Sequence, residues 1–204
     1  MHPNPVFRDA SDERNLAYAR ERGFGVLCVS GGDAPMLSHV PFVLTDDGAE
    51  IELHLVRSNP IARALGQPRQ AVLAVSGPDS YVSPDWYEVA DQVPTWNYVA
   101  VHLGGVLERL PQDHLRGMLD RLSAAFEAKL SPKTPWTADK MDADALDRMM
   151  RQIVPCRMRI QSIDGTWKLN QNKPDAVRLN AADKLAQAGV GSETGVLAAL
   201  MRSL

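Results

Sequence analysis

Three short β-prone runs separated by tight-turn signals constrain the fold of this chain more than any other feature. The runs cover residues 24–30, 35–44 and 51–56. The second and third are joined by Thr45-Asp46-Asp47-Gly48, and Asp-Gly supplies the positive φ angles that a tight hairpin turn needs. Strands this close in sequence leave no room for a crossover helix between them. The pattern therefore predicts an antiparallel meander rather than βαβ units.

Further strands and helices complete the prediction. Additional strands are predicted at residues 71–76, 96–110 and 153–164, and Gly104-Gly105 indicates a bulge or bend in the second of these. Helices are predicted at residues 11–22, 58–65, 111–129 and 142–152, followed by a tail that is helical by composition. The predicted fold is mainly β with peripheral helices (α+β), with about six antiparallel strands in a barrel or sandwich.

Composition excludes several classes of protein. Lys and Arg number 22 and Asp and Glu number 25, so the formal charge is 22 − 25 = −3. DNA is a possible partner that this charge balance does not support, because binding to the phosphate backbone needs an excess of Lys and Arg. No run approaches the ~20 apolar residues of a membrane span, and the N-terminus lacks the apolar region of a secretory signal. With only Cys28 and Cys156, we expect reduced thiols and a cytoplasmic protein without a membrane partner.

The segment after the third strand carries groups that bind phosphate. Ser58 or Asn59 can cap the helix that follows, and the N–H groups at this end of a helix are free and carry partial positive charge. Arg57 and Arg63 add fixed positive charge. These residues fit a phosphate cradle. They also fit a capped surface helix with two solvated arginines, and spacing alone favours this second interpretation.

Three other segments suit ligand binding. Ser38 and His39 form a polar pair within an apolar strand, where His39 contacts a ligand or is a hydrogen-bonded core histidine; no partner at metal-ligand spacing supports a metal site. Five of the eight Trp and Tyr residues lie between residues 79 and 102, around a predicted long functional loop at 84–94, and suit a planar ligand, an interface or the core. The amide-rich residues 167–174 can orient a heterocycle or form a solvated turn.

These motifs together resemble the PaiB family, described as FMN-binding negative transcriptional regulators. The motifs are Ser38-His-Val-Pro-Phe42, His54…Ser58-Asn-Pro60, Tyr81-Val-Ser-Pro-Asp-Trp-Tyr87, Val93-Pro-Thr-Trp-Asn-Tyr98 and Lys168-Leu-Asn-Gln-Asn172. The resemblance extends over residues 5–189. It implies a flavin-reductase-like split β-barrel, a homodimer and FMN at the subunit interface.

The resemblance also implies roles for individual residues. Ser38, His39 and Val40 match the strand beside the isoalloxazine ring, and Arg57, Ser58, Asn59 and Arg63 match the stretch that holds the FMN phosphate. Trp96, Asn97, Lys168, Gln171 and Asn172 match groups that close the pocket, some of them from the partner subunit. One departure concerns the phosphate stretch, where the related pyridoxamine oxidases usually carry an Arg-Lys pair. Here Ser-Asn-Pro and one helix arginine stand instead, which predicts weaker phosphate binding or another ligand.

The resemblance and the residues together define the expected organisation and function. We expect a split-barrel FMN-binding domain at residues 1–170, with helices inserted at about 111–152, and a C-terminal helical tail at 171–204. The expected function is that of an FMN-binding negative regulator of transcription, acting directly or through a partner. The alternatives are an FMN-dependent oxidoreductase acting on a small substrate and a haem-handling barrel in which His39 or His54 ligates iron. No catalytic triad, P-loop or GxGxxG motif is present, so the residues leave open whether the protein is an enzyme.

Overall fold

Strands account for most of the regular structure in the computed structural model, which describes residues 2–188 and 190–204. The strands are β1 (Phe24–Val29), β2 (Met36–Leu44), β3 (Glu50–Val56), β4 (Arg69–Val82), β5 (Thr95–Arg109), β6 (Ile153–Lys168) and the two-residue β7 (Gly191–Ser192). The α-helices are α1 (Asp12–Arg22), α2 (Pro60–Ala64), α3 (His114–Glu127), α4 (Ala143–Met150), α5 (Asp175–Ala188) and α6 (Thr194–Arg202). In the described part of the chain, no helix is long and apolar enough to cross a membrane.

The strands form one sheet in the order β1-β2-β3-β6-β5-β4-β7, and β1 also pairs with β4. Phe24 lies opposite Pro41, Phe42 opposite Leu53, and Leu53 opposite Cys156, all in antiparallel register. The β1–β4 pairing closes the six long strands into a barrel. The predicted antiparallel fold of about six strands with peripheral helices is therefore confirmed.

The alternation of buried and exposed residues follows the pleat of the strands. In β2, Val40, Phe42 and Leu44 are buried, and in β3 Ile51, Leu53 and Leu55 are buried. The residues between them face outward. The inward residues of the strands therefore fill the barrel core.

The chain forms two compact units, each assembled from separate segments. The first unit contains the stretch up to Tyr18 with Val75–His102 and Asp164–Leu204, and the second contains Ala19–Ala74 and Leu103–Ile163. In the first unit, α5 and α6 share a buried cluster with strand residues that include Val82, Val99 and Trp167. The C-terminal helices therefore belong to the core of that unit.

Two glycines that the sequence indicated as strand ends lie within strands, at positions where a neighbouring side chain packs closely. The predicted strand at 71–76 was too short, because β4 continues through Gly77, Pro78 and Asp79. A Cβ on Gly77 would lie 1.9 Å from the Tyr18 hydroxyl oxygen, so this glycine makes room for a neighbouring ring. The prediction for 153–164 was also too short, since β6 extends to Lys168 through Gly165, which packs against Asn15.

Candidate functional site

The side chain of Asn59 connects two of the predicted ligand-binding segments, the start of β2 and the start of α2. Its Oδ1 accepts the N–H of Ile61 at 2.8 Å, so Asn59, not Ser58, caps α2. Its Nδ2 donates to the Ser38 hydroxyl oxygen at 3.1 Å. Because β2 and β3 are antiparallel neighbours, the start of β2 and the turn after β3 lie at the same end of the sheet. Ser38 and Asn59 are thereby brought together.

Ser58 and Arg63 lie on either side of this cap with uncommitted side chains. Both are exposed. Within the described part of the chain, neither side chain makes a hydrogen bond or an ion pair, whereas the backbone around them is fixed by Asn59 N–H donating to Val56 O and Arg63 N–H donating to Asn59 O. A hydroxyl and a guanidinium are therefore available on an ordered backbone.

Arg57 differs from Arg63, because its guanidinium is bonded to the protein. Its Nε donates to Arg151 O at 2.9 Å, and its Nη2 donates to Gln112 Oε1 at 3.1 Å and to Ile153 O at 3.3 Å. Arg151 and Ile153 lie where α4 ends and β6 begins, and Gln112 lies between β5 and α3. Arg57 therefore anchors the turn after β3, and fewer of its donors remain for a phosphate.

The β2 residues His39 and Val40 face opposite sides of the barrel wall. The His39 ring is exposed and stacks on Phe24 with their centroids 6.3 Å apart and their planes at 28°. Val40 is buried in the core, so its backbone is the part that a ligand outside the barrel could contact. On β3, burial lowers the pKa of His54, and its buried Nδ1 has no hydrogen-bond partner among the described residues. No group of three or more His, Cys, Asp or Glu residues in the described structure could hold a metal ion.

An apolar outer sheet face surrounds His39, which the sequence did not predict. On β1, Val26 lies opposite His39 of β2 and Ala74 of β4. Two residues further along β1, Cys28 lies opposite Leu37 of β2 and Val72 of β4. Phe24, Leu37 and Val72 are exposed, with 64% of Leu37 accessible. An antiparallel barrel usually presents alternating polar residues to water. The signal in the sequence was β1 itself, which is apolar at every position of Phe-Gly-Val-Leu-Cys-Val.

The remaining predicted residues lie in the first unit, where Trp96 and Lys168 are in contact. Trp96 is 47% exposed at the start of β5, and its ring meets Tyr81 edge-on with centroids 6.4 Å apart. The Lys168 ammonium donates to Trp96 O at 2.8 Å and to the Thr95 hydroxyl. Burial lowers the pKa of Lys168, and the charge of Lys173 lowers it further. Lys168 therefore holds the start of β5 while Trp96 keeps an accessible ring.

Asn97 and Gln171 are committed to the structure of the same unit. Asn97 is fully buried, and its Nδ2 lies 3.5 Å from the Met201 sulfur. Gln171 accepts the N–H of Leu169 at 2.8 Å and donates to Val6 O at 3.0 Å and to Trp167 O. Asn172 is exposed, and its side chain makes no hydrogen bond in the described structure. Asn172 is therefore the most available amide of this segment.

Both cysteines are free thiols, as the sequence predicted. Cys156 is fully buried in β6, and burial raises the pKa of its thiol to about 12. The thiolate is the reactive form of cysteine, so Cys156 is chemically inert at neutral pH. Cys28 is half-buried on the outer sheet face.

Proteins of known structure share this barrel. The FAD and haem binding protein of Mycobacterium smegmatis aligns with a TM-score of 0.59 and 18% identity, over 91% of this chain and 82% of that one. The flavocytochrome Anf3 of Azotobacter vinelandii aligns with a TM-score of 0.53 and 12% identity, over 82% of this chain and 72% of that one. The fold is therefore that of the split β-barrels.

Sequence similarity identifies the family within that class. A family model described as "Putative FMN-binding domain" matches residues 1–162, and the chain belongs to this family. The chain is also 28% identical over 187 residues to the protease synthase and sporulation protein PAI 2 of Bacillus subtilis (strain 168), covering 91% of this chain and 89% of that protein. The predicted resemblance to PaiB is confirmed, and FMN is the cofactor of the family.

The donor set at the β2–α2 end fits the phosphate end of FMN. A phosphate takes strong hydrogen bonds from guanidinium and hydroxyl groups, and Arg63 and Ser58 offer one of each. Ser38 adds a second hydroxyl, which Asn59 holds in place. The residues present are therefore compatible with the cofactor of the family.

Proposed function

We propose that this protein is a homodimeric negative transcriptional regulator that binds FMN at the β2–α2 end of its barrel. The hydrogen bond from Asn59 to Ser38 carries the proposal, because it joins the two segments predicted to hold the phosphate and the ring. Ser58 and Arg63 bind the phosphate, while Ser38, His39 and the backbone of Val40 lie along the ring. FMN, when bound, supplies one- and two-electron redox chemistry. Asn59 positions the turn after β3, and Arg57 anchors the same turn through its hydrogen bonds to the carbonyls of Arg151 and Ile153.

The phosphate assignment is tested with the double variant Ser58→Ala/Arg63→Ala. Losing two charge-assisted hydrogen bonds to the phosphate should weaken FMN binding by roughly 1–3 kcal/mol, about 5- to 150-fold. Titration of the apoprotein with FMN, followed by flavin fluorescence, measures this. An affinity equal to that of the wild type would remove Ser58 and Arg63 from the site.

Arg57→Gln is the matched control for the double variant. It also removes one positive charge, six residues before Arg63, but from a side chain whose donors are hydrogen-bonded to Arg151, Ile153 and Gln112. It should lower thermal stability more than it lowers FMN affinity. A larger loss of affinity in Arg57→Gln than in Arg63→Ala would reverse the two roles.

Trp96, Lys168 and Asn172 are proposed to close a flavin pocket, with Asn97 and Gln171 supporting their backbone. Trp96 supports this assignment because it combines a large accessible ring with a backbone carbonyl fixed by Lys168. Trp96→Ala should reduce the flavin that remains bound after desalting. A change in melting temperature alone would assign Trp96 to packing.

The outer face formed by Phe24, Leu37, Val72 and their neighbours supports the homodimer. Exposed apolar patches of this kind mark interfaces, and a second copy that presents the same face would bury these exposed side chains. Leu37→Lys should shift the protein from dimer to monomer in sedimentation-velocity experiments. Val93→Lys, at an exposed valine of the first unit, is the control and should remain a dimer. A monomeric wild type would contradict the proposal.

The regulatory role is supported by the similarity to PAI 2, whose name refers to protease synthase and sporulation. Cells lacking the protein should show raised transcript levels of target genes. The wild type should restore repression, and a variant that does not bind FMN should fail to do so. Unchanged transcripts, together with consumption of reduced nicotinamide by the purified holoprotein, would favour the oxidoreductase instead. The two free thiols fit a reducing cytoplasm, where we propose the protein acts.

A further inference from the structure

A cavity of about 930 Å³ opens in the second unit, near the β2–β3 hairpin. Its walls come from the end of α1, the hairpin and the second half of α3. None of the predicted flavin residues lines it. On β2 the cavity is lined by residues 42–44, whereas the predicted flavin residues of this strand are Ser38, His39 and Val40, so the two sets of residues do not overlap. The cavity is therefore separate from the proposed flavin site and lies within the size range of small-molecule pockets.

The wall of this cavity on the α3 side is apolar and has a defined shape. Ala124, Ala125 and Phe126 line it, and Val43 faces them from β2. Phe126 packs against Gly23, where a Cβ would lie 2.8 Å from the ring atom Cζ. Gly23 also has a φ of +60°, which favours glycine. The small side chains of Ala124 and Ala125 leave the cavity open, and the Phe126 ring forms one of its walls.

Most charged groups around the cavity already have partners in the protein. Arg121 forms a bidentate pair with Glu52 at 2.7 and 2.8 Å. Arg20 donates to the carbonyls of Leu44 and Thr45 at 2.9 and 2.8 Å. Asp47 accepts from the Thr45 hydroxyl at 2.6 Å and from Ala49 N–H at 3.0 Å. An apolar ligand could therefore enter without leaving these charges unpaired.

Lys129 is a cation with spare donors at the edge of the apolar wall. Its ammonium lies 5.2 Å from the centroid of the Phe126 ring and donates to Glu21 O. Glu21 O is its sole hydrogen-bond acceptor in the described structure, so two of its three N–H groups are available. The Asp46 carboxylate also lines the cavity without a side-chain partner among the described residues. The negative charge of Asp46 offsets part of the positive charge of Lys129. The cavity therefore favours a ligand with one negative charge over a phosphate dianion.

We propose that this cavity binds a small amphipathic monocarboxylate, with its apolar body against Ala124, Ala125 and Phe126 and its carboxylate on Lys129. A medium-chain fatty acid and an aromatic acid share this chemistry. The site would give the protein a second ligand besides its flavin. Its existence does not depend on FMN binding.

The test uses the full-length protein with bound flavin and two probes of matched chain length, decanoate and decanol. Each probe displaces anilinonaphthalene sulfonate, a fluorescent amphipathic anion, from the protein. Lys129→Gln should weaken decanoate binding roughly 5- to 20-fold, as expected for losing a charge-assisted hydrogen bond, and leave decanol binding unchanged. Lys140→Gln is the control, because Lys140 also donates to a backbone carbonyl, at 3.2 Å, and does not line the cavity.

A second variant tests the location of the site. Ala125 is exposed on α3, so Ala125→Trp fills the cavity without crowding the core. It should abolish displacement by decanoate, while flavin retention and melting temperature stay as in the wild type. The proposal is overturned if decanoate does not bind saturably, if Ala125→Trp still binds it, or if Lys129→Gln weakens both probes equally. Flavin retention is measured separately, so failure of this site and failure of the FMN proposal are distinguishable.

Discussion

At the scale of single residues, Arg178 shows how a buried charge can hold two helices together. It is 4% exposed on α5, and its guanidinium donates to the Met201 carbonyl near the end of α6 and to Asp175 Oδ1 at 2.8 Å. The last carbonyls of a helix have no partner within the helix. Arg178 supplies one from the neighbouring helix.

Removing this guanidinium should therefore be costly. Arg178→Ala leaves a buried carbonyl unpaired, and we expect it to lower the free energy of unfolding by roughly 2–4 kcal/mol. Arg202→Ala on α6 is the control, since its pair with Asp183 is solvent-exposed and contributes at most about 1 kcal/mol. Urea denaturation measures both variants. Equal losses would show that the buried contact adds nothing beyond the surface pair.

His54 provides a prediction of pH dependence at the same scale. Burial lowers its pKa in the folded protein below the value of about 6.5 in the unfolded chain. Between these two values the unfolded chain binds more protons, so stability is retained above about pH 6.5 and is lost as the pH falls towards the folded pKa. His54→Gln should reduce the loss of unfolding free energy between about pH 7.5 and about pH 5.5. His114→Gln, at an exposed histidine, is the control, and parallel curves for all three proteins would contradict the prediction.

At the scale of elements, the sequence predicted strands and turns well where local geometry decides them. The hairpin at Thr45–Gly48 is confirmed, with Gly48 at a φ of +71° and its N–H donating to Thr45 O at 2.9 Å. The ends of β4 and β6 were wrong, because Gly77 and Gly165 are required by neighbouring side chains and do not end a strand. A glycine that permits a turn and a glycine that permits close packing look the same in a sequence.

Gly105 on β5 gives this distinction a test. A Cβ there would lie 2.0 Å from the backbone oxygen of Arg159 on β6, whereas one on Gly104 would meet the Ser162 hydroxyl at 2.5 Å, which can rotate away. Gly105→Ala should cost about 3 kcal/mol, at the upper end for overpacking, and Gly104→Ala less. Gly32→Ala, with nothing near its Cβ, is the control. Thermal denaturation of the three variants should follow this order, and a stable Gly105→Ala would show that β6 can move.

At the scale of the whole molecule, the C-terminal helices are part of a core and not an independent appendage. Leu185, Leu197 and Met201 are fully buried in the cluster that includes Trp167 and Tyr87. Truncation after Asn170 should therefore expose this cluster and yield insoluble or partly unfolded protein. Leu197→Ala is the milder variant, expected to cost about 2–4 kcal/mol in unfolding free energy while the protein still folds. A soluble, cooperatively folded truncation product would contradict this prediction.

The candidate site was partly accessible from sequence. The resemblance selected the β2 and α2 segments, and in the structure a hydrogen bond joins Asn59 to Ser38. The sequence could not show that Arg57 is hydrogen-bonded to the protein while Arg63 is available to a ligand, because this difference depends on acceptors far away in the chain. The outer sheet face was missed for a similar reason: an apolar strand in a sequence does not reveal whether its second face is covered.

The sequence by itself determined the antiparallel pairing of the first three strands, the hairpin turn between the second and third, and membership of an FMN-binding family. Those properties depend on backbone dihedral preferences, on the alternation of apolar residues and on motifs, all of which are local. Only the tertiary structure decided which polar groups are already paired, which glycines face a neighbouring backbone, and where the cavity beside α3 opens. These properties depend on contacts between residues far apart in the chain, and no short stretch of sequence specifies them.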